Sequence, residues 1–359
     1  MMFAMAARRM GYRVEVFSDV ADCPAARHCD RLHVVPLDDP AALVGVARGL
    51  DALTFEFENV SAAAAGALAA QIVVRPAPAV LHTVQDRGRE KAFLVRHGFP
   101  VVPHALIRDA AGLEAAVAHV GLPAVLKTAA FGYDGKGQRQ VVDRAEVEAA
   151  WQALGPGELV LESWVDFVAE LSVVAARGAD GAIAPFTAVH NRHRHHILDV
   201  TTSPAPLPRP VQAEAERLAT AVLEALDFVG VGCVEFFLTG DGRLLVNEIA
   251  PRPHNSGHLT VEACACSQFE QQVRAVCGLP LGSPRQLAPA AMANLLGDCW
   301  AGGEPDWPAA LALPGVSLTL YGKSEPRPAR KMGHLTAVAA TVAEAEATVL
   351  RARDRACRR

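Results

Sequence analysis

VGCVEFFLTGDGRLLVNEIAPR, residues 231–252, holds the pattern that decides the fold. Two apolar runs, VGCVEFFL and LLVNEIA, flank the dipeptide Asp241-Gly242, which is a strong signal for a two-residue hairpin turn. Counting back from that turn along both strands puts Glu235 directly opposite Glu248. Residues opposite each other in an antiparallel pair point to the same face, about 5 Å apart. The stretch therefore predicts a hairpin that carries two facing carboxylates.

The facing carboxylates predict a cation site. Two like charges inside apolar runs are unfavourable unless something positive lies between them. Mg²⁺ is the natural candidate, because it takes carboxylates together with nucleotide phosphates, and Mn²⁺ is the alternative. The competing interpretation is two exposed glutamates on a solvated sheet face, but the apolar flanks favour a buried pair. Asn247 would join the site only if its strand ends or bulges there, since alternation points it to the other face.

A glycine-rich loop, FGYDGKGQ at residues 131–138, follows a predicted strand at 123–128 that ends in Lys127. It is not a Walker loop, because Lys136 is followed by glycine and glutamine rather than by serine or threonine and a helix. It is not a dinucleotide turn either, since that motif opens a helix. Backbone N–H groups of such a loop can hold phosphate oxygens, whereas a plain β-hairpin is the alternative. The neighbouring Lys127, at a strand end, favours the phosphate interpretation over a solvated lysine.

Composition limits the classes of function. The chain has 359 residues, 51% of them hydrophobic and 20% charged, which fits two or three packed domains. Its net charge of −5 argues against a basic nucleic-acid face, and no apolar run is long enough for a membrane span. The eight cysteines form no CxxC pair, so we expect reduced thiols in a cytoplasmic protein and no zinc site. Four nearby histidines are interpreted as polar strand residues: His190, His193, His195 and His196.

The order of the predicted elements indicates more than one kind of sheet. Near the N-terminus, strands at 12–18 and 52–57 alternate with helices at 41–49 and 61–70, which is typical of a doubly wound parallel sheet. Further along, segments 170–177 and 183–190 flank the turn GADG and predict an antiparallel pair. The overall fold class is therefore α/β and α+β. The chain opens in a predicted helix, Met1–Met10, where a domain of this type usually starts with a strand and a glycine turn.

The lysine, the glycine-rich loop and the paired glutamates, in this order, resemble the ATP-grasp superfamily. Within it, five segments resemble the N5-carboxyaminoimidazole ribonucleotide synthase family: FGYDGKGQ, HNRH, VEFF…LLVNEIAPRPHNSGH, MANLLG and KSEPRPARKMGHL. The resemblance runs from about Gly11 to Val342. It implies a pre-ATP-grasp α/β domain at 1–82, an ATP-grasp domain at 83–277 and a small mixed C-terminal domain at 278–359.

The resemblance also implies roles for individual residues. Those implied for the nucleotide are Arg87 and Lys127 on the phosphates, Gly132, Gly135, Lys136, Gly137 and Gln138 in the flap, Glu162, Ser163, Trp164 and Val165 in the adenine hinge, Glu170 on the ribose, and His193, Asn247 and Glu248. Those implied for the metal are Glu235 and Glu248. Those implied for the second substrate and the chemistry are Tyr133, Asp134, Asn255, Ser256 and His258, with Lys323 and Arg330 on its ribose phosphate. The alternative is an ordinary polar loop at PRPHNSGH and a solvated basic turn at KSEPRPAR.

The implied reaction joins ATP, bicarbonate and 5-aminoimidazole ribonucleotide, and the implied assembly is a homodimer without nucleic-acid or membrane partners. Two other functions stay open: another ATP-grasp ligase, such as a formate-dependent glycinamide ribonucleotide transformylase, or a nucleotide-binding relic without catalysis. Family members usually begin with a strand and a GGGQLGRM-like turn, whereas this sequence starts at the following helix. We expect a misassigned start, with a real truncation as the alternative.

Overall fold

The N-terminal region combines short parallel strands with helices. The computed structural model describes residues 1–130, 137–155 and 157–357. The elements of the first region are α1 (Met2–Arg9), β1 (Glu15–Ser18), β2 (Arg31–Val34), α2 (Pro40–Val46), β3 (Ala52–Leu53), α3 (Ala62–Ala69), β4 (Val73–Val74) and α4 (Pro78–Val84). Strand β1 pairs with β2 and β3 pairs with β4, both in parallel. The predicted parallel pairing is thus confirmed.

The predicted strand at 52–57 is much shorter in the structure, because its second half leaves the sheet. Strand β3 ends at Leu53. Phe55 then turns into the core that α2 and α3 cover. The carboxylate of Glu56 accepts a hydrogen bond of 3.0 Å from the backbone N–H of Phe3 in the first turn of α1. An unpaired N–H at a helix start needs an acceptor, and this tertiary contact supplies one.

A four-stranded antiparallel sheet carries the predicted phosphate lysine, and we call it the lysine sheet. Its elements are α5 (Arg87–Arg96), β5 (His104–Ile107), α6 (Ala110–Val120), β6 (Ala124–Thr128), β7 (Gln138–Val141), α7 (Arg144–Leu154) and β8 (Leu159–Ser163). The strand order is β5-β8-β6-β7. Helices α6 and α7 cover one face with apolar side chains such as Leu113 and Val147. Lys127 lies on β6, as the sequence predicted.

A second, nine-stranded sheet carries the predicted carboxylates, and we call it the glutamate sheet. Its strands are β9 (Phe167–Arg177), β10 (Ile183–Pro185), β11 (Val189–Arg194), β12 (Ile197–Ser203), β13 (Gly230–Thr239), β14 (Leu244–Ala250), β15 (Ala290–Leu296), β16 (Val316–Leu320) and β17 (Lys331–Val338). Their order is β14-β13-β9-β11-β12-β15-β17-β16, with β10 also paired to β9. Helices α8 (Arg209–Ala225), α9 (Thr260–Ala263), α10 (Gln268–Val276), α11 (Trp307–Leu311) and α12 (Val342–Cys357) pack around it.

The antiparallel pair around GADG is confirmed, with Ile183 opposite Arg177. The predicted second strand at 183–190 is nevertheless interrupted, because it ends at Pro185 and Phe186 turns into a buried cluster. The chain then rejoins β9 as β11, with Val189 opposite Ser172. Both pieces therefore lie along the same neighbouring strand.

The glutamate sheet continues into the C-terminal region. Strand β12 pairs in antiparallel with β15, so strands on both sides of residue 277 share one sheet. The core beneath β15 and β17 is closed by α12, through side chains such as Val349 and Leu335. The domain limits at 82/83 and 277/278 stay predictions. No helix within the described residues has the length and apolar character that crossing a membrane requires.

One pair of cysteines contradicts the expectation of reduced thiols. Cys299 and Cys357 form a disulfide although 58 positions separate them in the sequence. Cys357 ends α12, and Cys299 lies in a short 3-10 helix after β15. Only the packing of α12 against this region brings the two thiols together, which no spacing rule could anticipate. Six other cysteines are free: Cys23, Cys29, Cys233, Cys264, Cys266 and Cys277.

Candidate active site

Glu235 and Glu248 are cross-strand partners, as the sequence predicted. The predicted two-residue turn is wrong, however. Thr239 pairs with Arg243 through a backbone hydrogen bond of 2.9 Å, so three residues form the loop, and Gly242 there has a φ of +84°. This longer loop alone would put Asn247 opposite Glu235 and turn Glu248 toward the buried face.

A β-bulge at Asn247 restores the glutamate pair. Phe236 pairs with Val246 while Glu235 pairs with Glu248, so Asn247 has no partner in the ladder between β13 and β14. A bulge adds one residue to one strand and so reverses the faces beyond it. Val246 enters the hydrophobic core although it lies two residues from Glu248. The alternation argument that kept Asn247 out of the site therefore no longer holds.

The carboxylate pair is suited to a cation. Burial, and then the charge of Glu248, raises the pKa of Glu235 to about 8. A cation between the two carboxylates would offset both effects, because a nearby positive charge favours the ionised form of Glu235. Within the described residues there is no group of three or more His, Cys, Asp and Glu side chains suited to a metal. Two carboxylates fit Mg²⁺, which completes its octahedron with phosphates and water.

Lys127 is held by a buried glutamate of its own sheet. Its ammonium donates a hydrogen bond of 2.6 Å to Oε2 of Glu162 on the adjacent strand β8. Lys91 from α5 lies 3.8 Å from the other oxygen of Glu162. Burial alone would raise the pKa of Glu162, but the ammonium groups of Lys91 and Lys127 outweigh it and lower that pKa to about 2. Burial lowers the pKa of Lys127 despite this partner.

Arg87 connects the lysine sheet with the glutamate sheet. Its backbone N–H donates to the carbonyl of Ala129 just after β6, at 2.8 Å. Its guanidinium lies 3.4 Å from Oε2 of Glu248. Arg87 thus joins the strand that carries Lys127 to the strand that carries Glu248, so residues predicted for nucleotide and metal meet where the two sheets adjoin.

The predicted hinge links those two sheets. Strand β8 ends at Ser163 and β9 begins at Phe167, so Trp164 and Val165 lie in the connection. The backbone N–H of Trp164 donates to the carbonyl of Pro123 at 3.0 Å, and its indole is 43% exposed. The Ser163 hydroxyl donates to the carbonyl of Val120 at 3.2 Å. Glu162 is 3% exposed and bound to lysine, so its carboxylate supports Lys127.

Glu170 and His193 form a pair on neighbouring strands. His193 Nδ1 lies 2.7 Å from Oε2 of Glu170. Burial lowers the pKa of His193, but the hydrogen bond to Glu170 outweighs it and raises that pKa. Glu170 lies beside Phe237 on β13, two residues from Glu235, so it shares the face of the carboxylate pair. Glu170, predicted for the ribose, and His193, predicted for the nucleotide site, therefore lie beside the carboxylate pair.

The described end of the glycine loop packs against β6. The carbonyl of Gly137 accepts a hydrogen bond of 2.8 Å from the N–H of Thr128. The φ angle of Gly137 is +72°. A Cβ at this position would meet Thr128 Oγ1 at 2.6 Å, so only glycine fits. Gln138 pairs with Lys127. The other predicted loop residues lie outside the described residues: Gly132, Tyr133, Asp134, Gly135 and Lys136.

Ser256 belongs to a buried chain of hydrogen bonds. Thr201 donates to Asn191 Oδ1 at 2.9 Å, and Asn191 Nδ2 donates to the Ser172 hydroxyl at 2.8 Å. The hydroxyls of Ser172 and Ser256 are 2.8 Å apart, and that of Ser256 is 2.8 Å from His254 Nδ1. All four polar residues that precede the histidine are at most 3% exposed. Ser256 therefore contacts His254 and Ser172 within the protein interior.

The chain of hydrogen bonds orients His254 toward the carboxylate pair. Burial lowers the pKa of His254 well below its usual range, so the imidazole is neutral. Its Nδ1 accepts from the backbone N–H of Ser256 at 3.4 Å, and the hydrogen of the ring is then on Nε2. Nε2 lies 3.2 Å from Oε1 of Glu235. A histidine that holds a candidate metal ligand in this way is a typical outer-shell partner.

The remaining predicted residues extend from the carboxylate pair toward β17. Asn255 and Asn294 exchange amide hydrogen bonds of 3.2 and 2.7 Å. The ring of His258 lies 6.1 Å from that of Tyr321, and Lys323 Nζ lies 5.5 Å from the same tyrosine ring. His258 and Lys323 thus both lie beside the ring of Tyr321. Arg330 donates to the carbonyl of Glu325 at 2.8 Å within the basic turn.

Four residues of this region were missed by the sequence analysis. Arg252 and His254 lie inside NEIAPRPHNSGH, which was singled out as a segment, so its charged members were the available signal. Arg252 Nη2 donates a hydrogen bond of 2.8 Å to Glu58 Oε1. This contact connects the N-terminal region with the end of β14. Glu90 and Lys91 lie in α5, and the sequence analysis gave neither of them a role. Their burial is a tertiary fact that the helical pattern did not reveal.

Family models match three consecutive regions of this chain. A ribonucleotide synthetase preATP-grasp domain matches residues 1–85, and an ATP-grasp domain matches residues 92–269. A phosphoribosylaminoimidazole carboxylase C-terminal domain matches residues 290–348. These matches bear out the predicted fold class and the order of its three parts.

Relatives and solved structures match over almost the whole chain. An N5-carboxyaminoimidazole ribonucleotide synthase of Brucella melitensis is 44% identical over 94% of this chain and 92% of that protein. The crystal structure of an ADP complex of an N5-carboxyaminoimidazole ribonucleotide synthetase superposes with a TM-score of 0.92 and 36% identity, over 98% of this chain and 92% of that one. The crystal structure of the Aspergillus clavatus enzyme with ADP and 5-aminoimidazole ribonucleotide superposes with a TM-score of 0.88 and 29% identity. That match covers 99% of this chain and 95% of the other. The chain therefore belongs to the N5-carboxyaminoimidazole ribonucleotide synthase family of ATP-grasp ligases.

Proposed function

We propose that this protein carboxylates 5-aminoimidazole ribonucleotide to N5-carboxyaminoimidazole ribonucleotide, with ATP and bicarbonate consumed and ADP and phosphate released, as a step of purine biosynthesis. The single observation that carries the proposal is the junction at Arg87, which contacts Glu248, the partner of Glu235, and bonds to the end of the strand that carries Lys127, in a chain with full-length relatives of that name. This junction offers cations for phosphates from the lysine sheet and carboxylates for a metal from the glutamate sheet.

The nucleotide is proposed to lie between the lysine sheet and the glutamate sheet. Lys127 and Arg87 would contact its phosphates, because both cations lie where the two sheets adjoin and each is oriented by a carboxylate, Glu162 for Lys127 and Glu248 for Arg87. The adenine would meet the backbone at Trp164 and Val165, which connect the sheets. Glu170 would accept hydrogen bonds from the ribose hydroxyls, since a carboxylate is a strong acceptor for such groups.

Glu235 and Glu248 would hold Mg²⁺ between the protein and the phosphates. When bound, the ion would neutralise charge that develops on the transferring phosphoryl group. Arg87 keeps one carboxylate oriented from the side of α5, and His254 keeps the other oriented from the side of the hydrogen-bond chain. Both glutamates are therefore held before the ion arrives, which lowers the cost of ordering them.

The chemistry is proposed to proceed in two transfers. A bicarbonate oxygen attacks the γ-phosphorus of ATP, ADP leaves, and carboxyphosphate forms. Lys127 and Arg87 stabilise the negative charge of the phosphoryl group in transit. The exocyclic amine of the ribonucleotide then attacks the carboxyl carbon, phosphate leaves, and the amine loses a proton.

The second substrate is proposed to lie toward β17. Asn255 and His258 lie after β14 on the path from the carboxylate pair to Tyr321, and Lys323 is near that ring. Lys323 and Arg330 would bind the ribose phosphate, for which cations are the natural ligands. Tyr133 and Asp134 would close over the reacting groups, and Ser256 would act through His254. A homodimeric, cytoplasmic enzyme without nucleic-acid or membrane partners completes the proposal.

The decisive experiment measures ADP release by the purified chain with Mg-ATP and bicarbonate, with and without 5-aminoimidazole ribonucleotide. Release that depends on the ribonucleotide supports the function, because carboxyphosphate needs an acceptor for productive turnover. Replacing bicarbonate by formate and the ribonucleotide by glycinamide ribonucleotide tests the transformylase alternative. ADP release only under that second condition, or nucleotide binding without any release, contradicts the proposal.

A further inference from the structure

Helix α5 contacts three consecutive residues of β14 at the bulge. Lys91 donates from Nζ to the carbonyl of Asn247 at 2.7 Å. The backbone N–H of Ile249 donates to Glu90 Oε1 at 2.7 Å. Between these two contacts stands Glu248, whose carboxylate meets Arg87 of the same helix. One helix face thus holds the backbone on both sides of a candidate metal ligand.

The two backbone contacts are made by charged side chains deep in the protein. Glu90 is 2% exposed and Lys91 is 0% exposed. Charged groups are almost never fully buried unless they are paired, because burial costs free energy that only good hydrogen bonds offset. Their spacing from Arg87 is three and four positions, which puts all three on one face of a helix. The helix therefore presents a matched set of groups to this strand.

The bulge explains why such partners are needed. Asn247 stands outside the ladder between β13 and β14, so the regular pairing of the two strands leaves its backbone without a partner residue on β13. A buried carbonyl without a donor costs about 1–3 kcal/mol. Lys91 donates a hydrogen bond to the carbonyl of Asn247. Glu90 accepts one from the backbone N–H of Ile249, two residues further along the strand. Together the contacts stabilise the bulged register, in which Glu248 faces Glu235 instead of the core.

We propose that Glu90 and Lys91 form a clamp on the bulge that positions Glu248 for the metal-bound nucleotide. Both are positioning residues, since they act through the backbone of β14 and touch neither carboxylate. The inference rests on the proposed function, because it assigns the metal to Glu235 and Glu248. It adds two residues for which the sequence analysis had no role.

The clamp also links the lysine sheet with the glutamate sheet. Lys91 lies 3.8 Å from Oε1 of Glu162, whose Oε2 accepts from Lys127 at 2.6 Å. One buried ammonium therefore contacts both the bulge beside Glu248 and the carboxylate that orients the phosphate lysine. The separation of metal and phosphate sites is set in part by this single side chain.

The test compares ADP affinity in excess EDTA with ADP affinity in excess Mg²⁺, by calorimetric titration of the full chain. The ratio of the two, the metal gain, reports how well the carboxylates engage the metal. Glu90→Gln replaces the carboxyl group by an amide and keeps the reach to the Ile249 N–H, whereas Glu90→Asp keeps the carboxyl group and shortens the side chain by one bond. The clamp predicts an unchanged metal gain for E90Q and a gain reduced about 10-fold or more for E90D, the usual effect of losing an outer-shell partner.

Two further variants separate geometry from charge. Lys91→Met removes a cation, which by Coulomb's law alone would strengthen metal binding. The clamp predicts the reverse, a reduced metal gain. Gln212→Met is the matched control, because Gln212 is a buried side chain that donates to the backbone carbonyls of Ala205 and Leu207. It creates the same kind of defect on α8, and we expect its metal gain to equal that of the unchanged chain.

Each result has a definite meaning. A metal gain that falls in E90Q but not in E90D, or that rises in K91M, overturns the clamp, because the chemical type of these side chains rather than their position would then control the metal. No metal gain in the unchanged chain overturns both the clamp and the metal assignment. A normal metal gain without ribonucleotide-dependent ADP release leaves the clamp supported and contradicts the proposed reaction alone. E90D and E90Q keep a polar side chain, so the comparison survives if K91M fails to fold.

Discussion

Glu235 faces Glu248 only because Asn247 is bulged out of the ladder between β13 and β14. The three-residue loop at the hairpin tip shifts the register by one position, and the bulge shifts it back. A one-residue slip moves a side chain to the other face of a sheet. The pairing of the two carboxylates thus depends on two compensating irregularities, one at the tip and one beside the site.

Glu248→Gln is expected to lower ribonucleotide-dependent ADP release by about 100-fold or more, because a metal ligand supplies several kcal/mol of charge stabilisation in the transition state. Steady-state kinetics at saturating Mg-ATP measures this. Asp241→Asn at the exposed hairpin tip removes a carboxylate from the same hairpin and should keep normal turnover. Unchanged turnover in E248Q would contradict the metal assignment.

Lys127→Met should reduce ADP release by about 100-fold, since one oriented donor to a transferring group is worth a factor of 10² to 10³. Glu162→Gln should have a smaller effect, because the lysine stays in place and loses only its charged partner. Arg108→Met is the control, as it breaks the surface pair with Glu158 beside the same sheet. Equal turnover in K127M and R108M would show that Lys127 does not meet the phosphates.

Ser172→Ala interrupts the buried hydrogen-bond chain between Asn191 and Ser256. We expect the free energy of unfolding to fall by about 1–3 kcal/mol, because buried groups lose partners. We also expect kcat to fall while KM for ATP stays constant, since His254 loses its fixed orientation. Urea denaturation and initial rates measure the two effects.

The matched control for that chain is Ser203→Ala. Ser203 is equally buried and donates to Gln286 Oε1 at 3.1 Å, outside the chain. It should cost comparable stability and leave kcat unchanged. If both variants lower kcat alike, the chain through Ser172 has no special connection with the site.

Glu262→Gln should change the pH dependence of stability. Burial raises the pKa of Glu262 from 4.5 to about 7. A raised carboxyl pKa means that the folded state favours the protonated form, so wild-type stability declines as pH rises from about 4.5 to 7 and the loss is complete above 7. The glutamine variant lacks this contribution. Its free energy of unfolding relative to wild type should therefore be higher at pH 8 than at pH 4.5, by urea titration at both values; an equal difference at both would refute the shift.

The local patterns of the sequence predicted most of the elements near the site. Three predicted features are present in the structure: the strand that carries Lys127, the hairpin at Asp241-Gly242 and the antiparallel pair around GADG. Apolar runs bounded by turn residues predict them because such signals depend only on neighbouring residues in the sequence. Strand ends were less accurate. The strand after Ala52 stops early because Phe55 and Glu56 find partners in other elements.

The burial of individual polar residues could not be predicted in the same way. Glu90 and Lys91 look like any charged pair on a helix, and only their contacts with β14 show what they do. The disulfide between Cys299 and Cys357 has the same character, since its spacing carries no signal. Such facts arise where elements from distant parts of the chain meet.

By itself the sequence determined the residues that can do chemistry: a lysine at a strand end, glycines in a loop, and two glutamates on one hairpin. Their type and local order follow from short-range rules of strands and turns. The tertiary structure alone decided how they face one another. Lys91 reaches Asn247 across 156 positions, and Arg252 reaches Glu58 across 194. Packing of buried charges against a bulged strand is a long-range balance of desolvation and hydrogen bonding, and no local pattern encodes it.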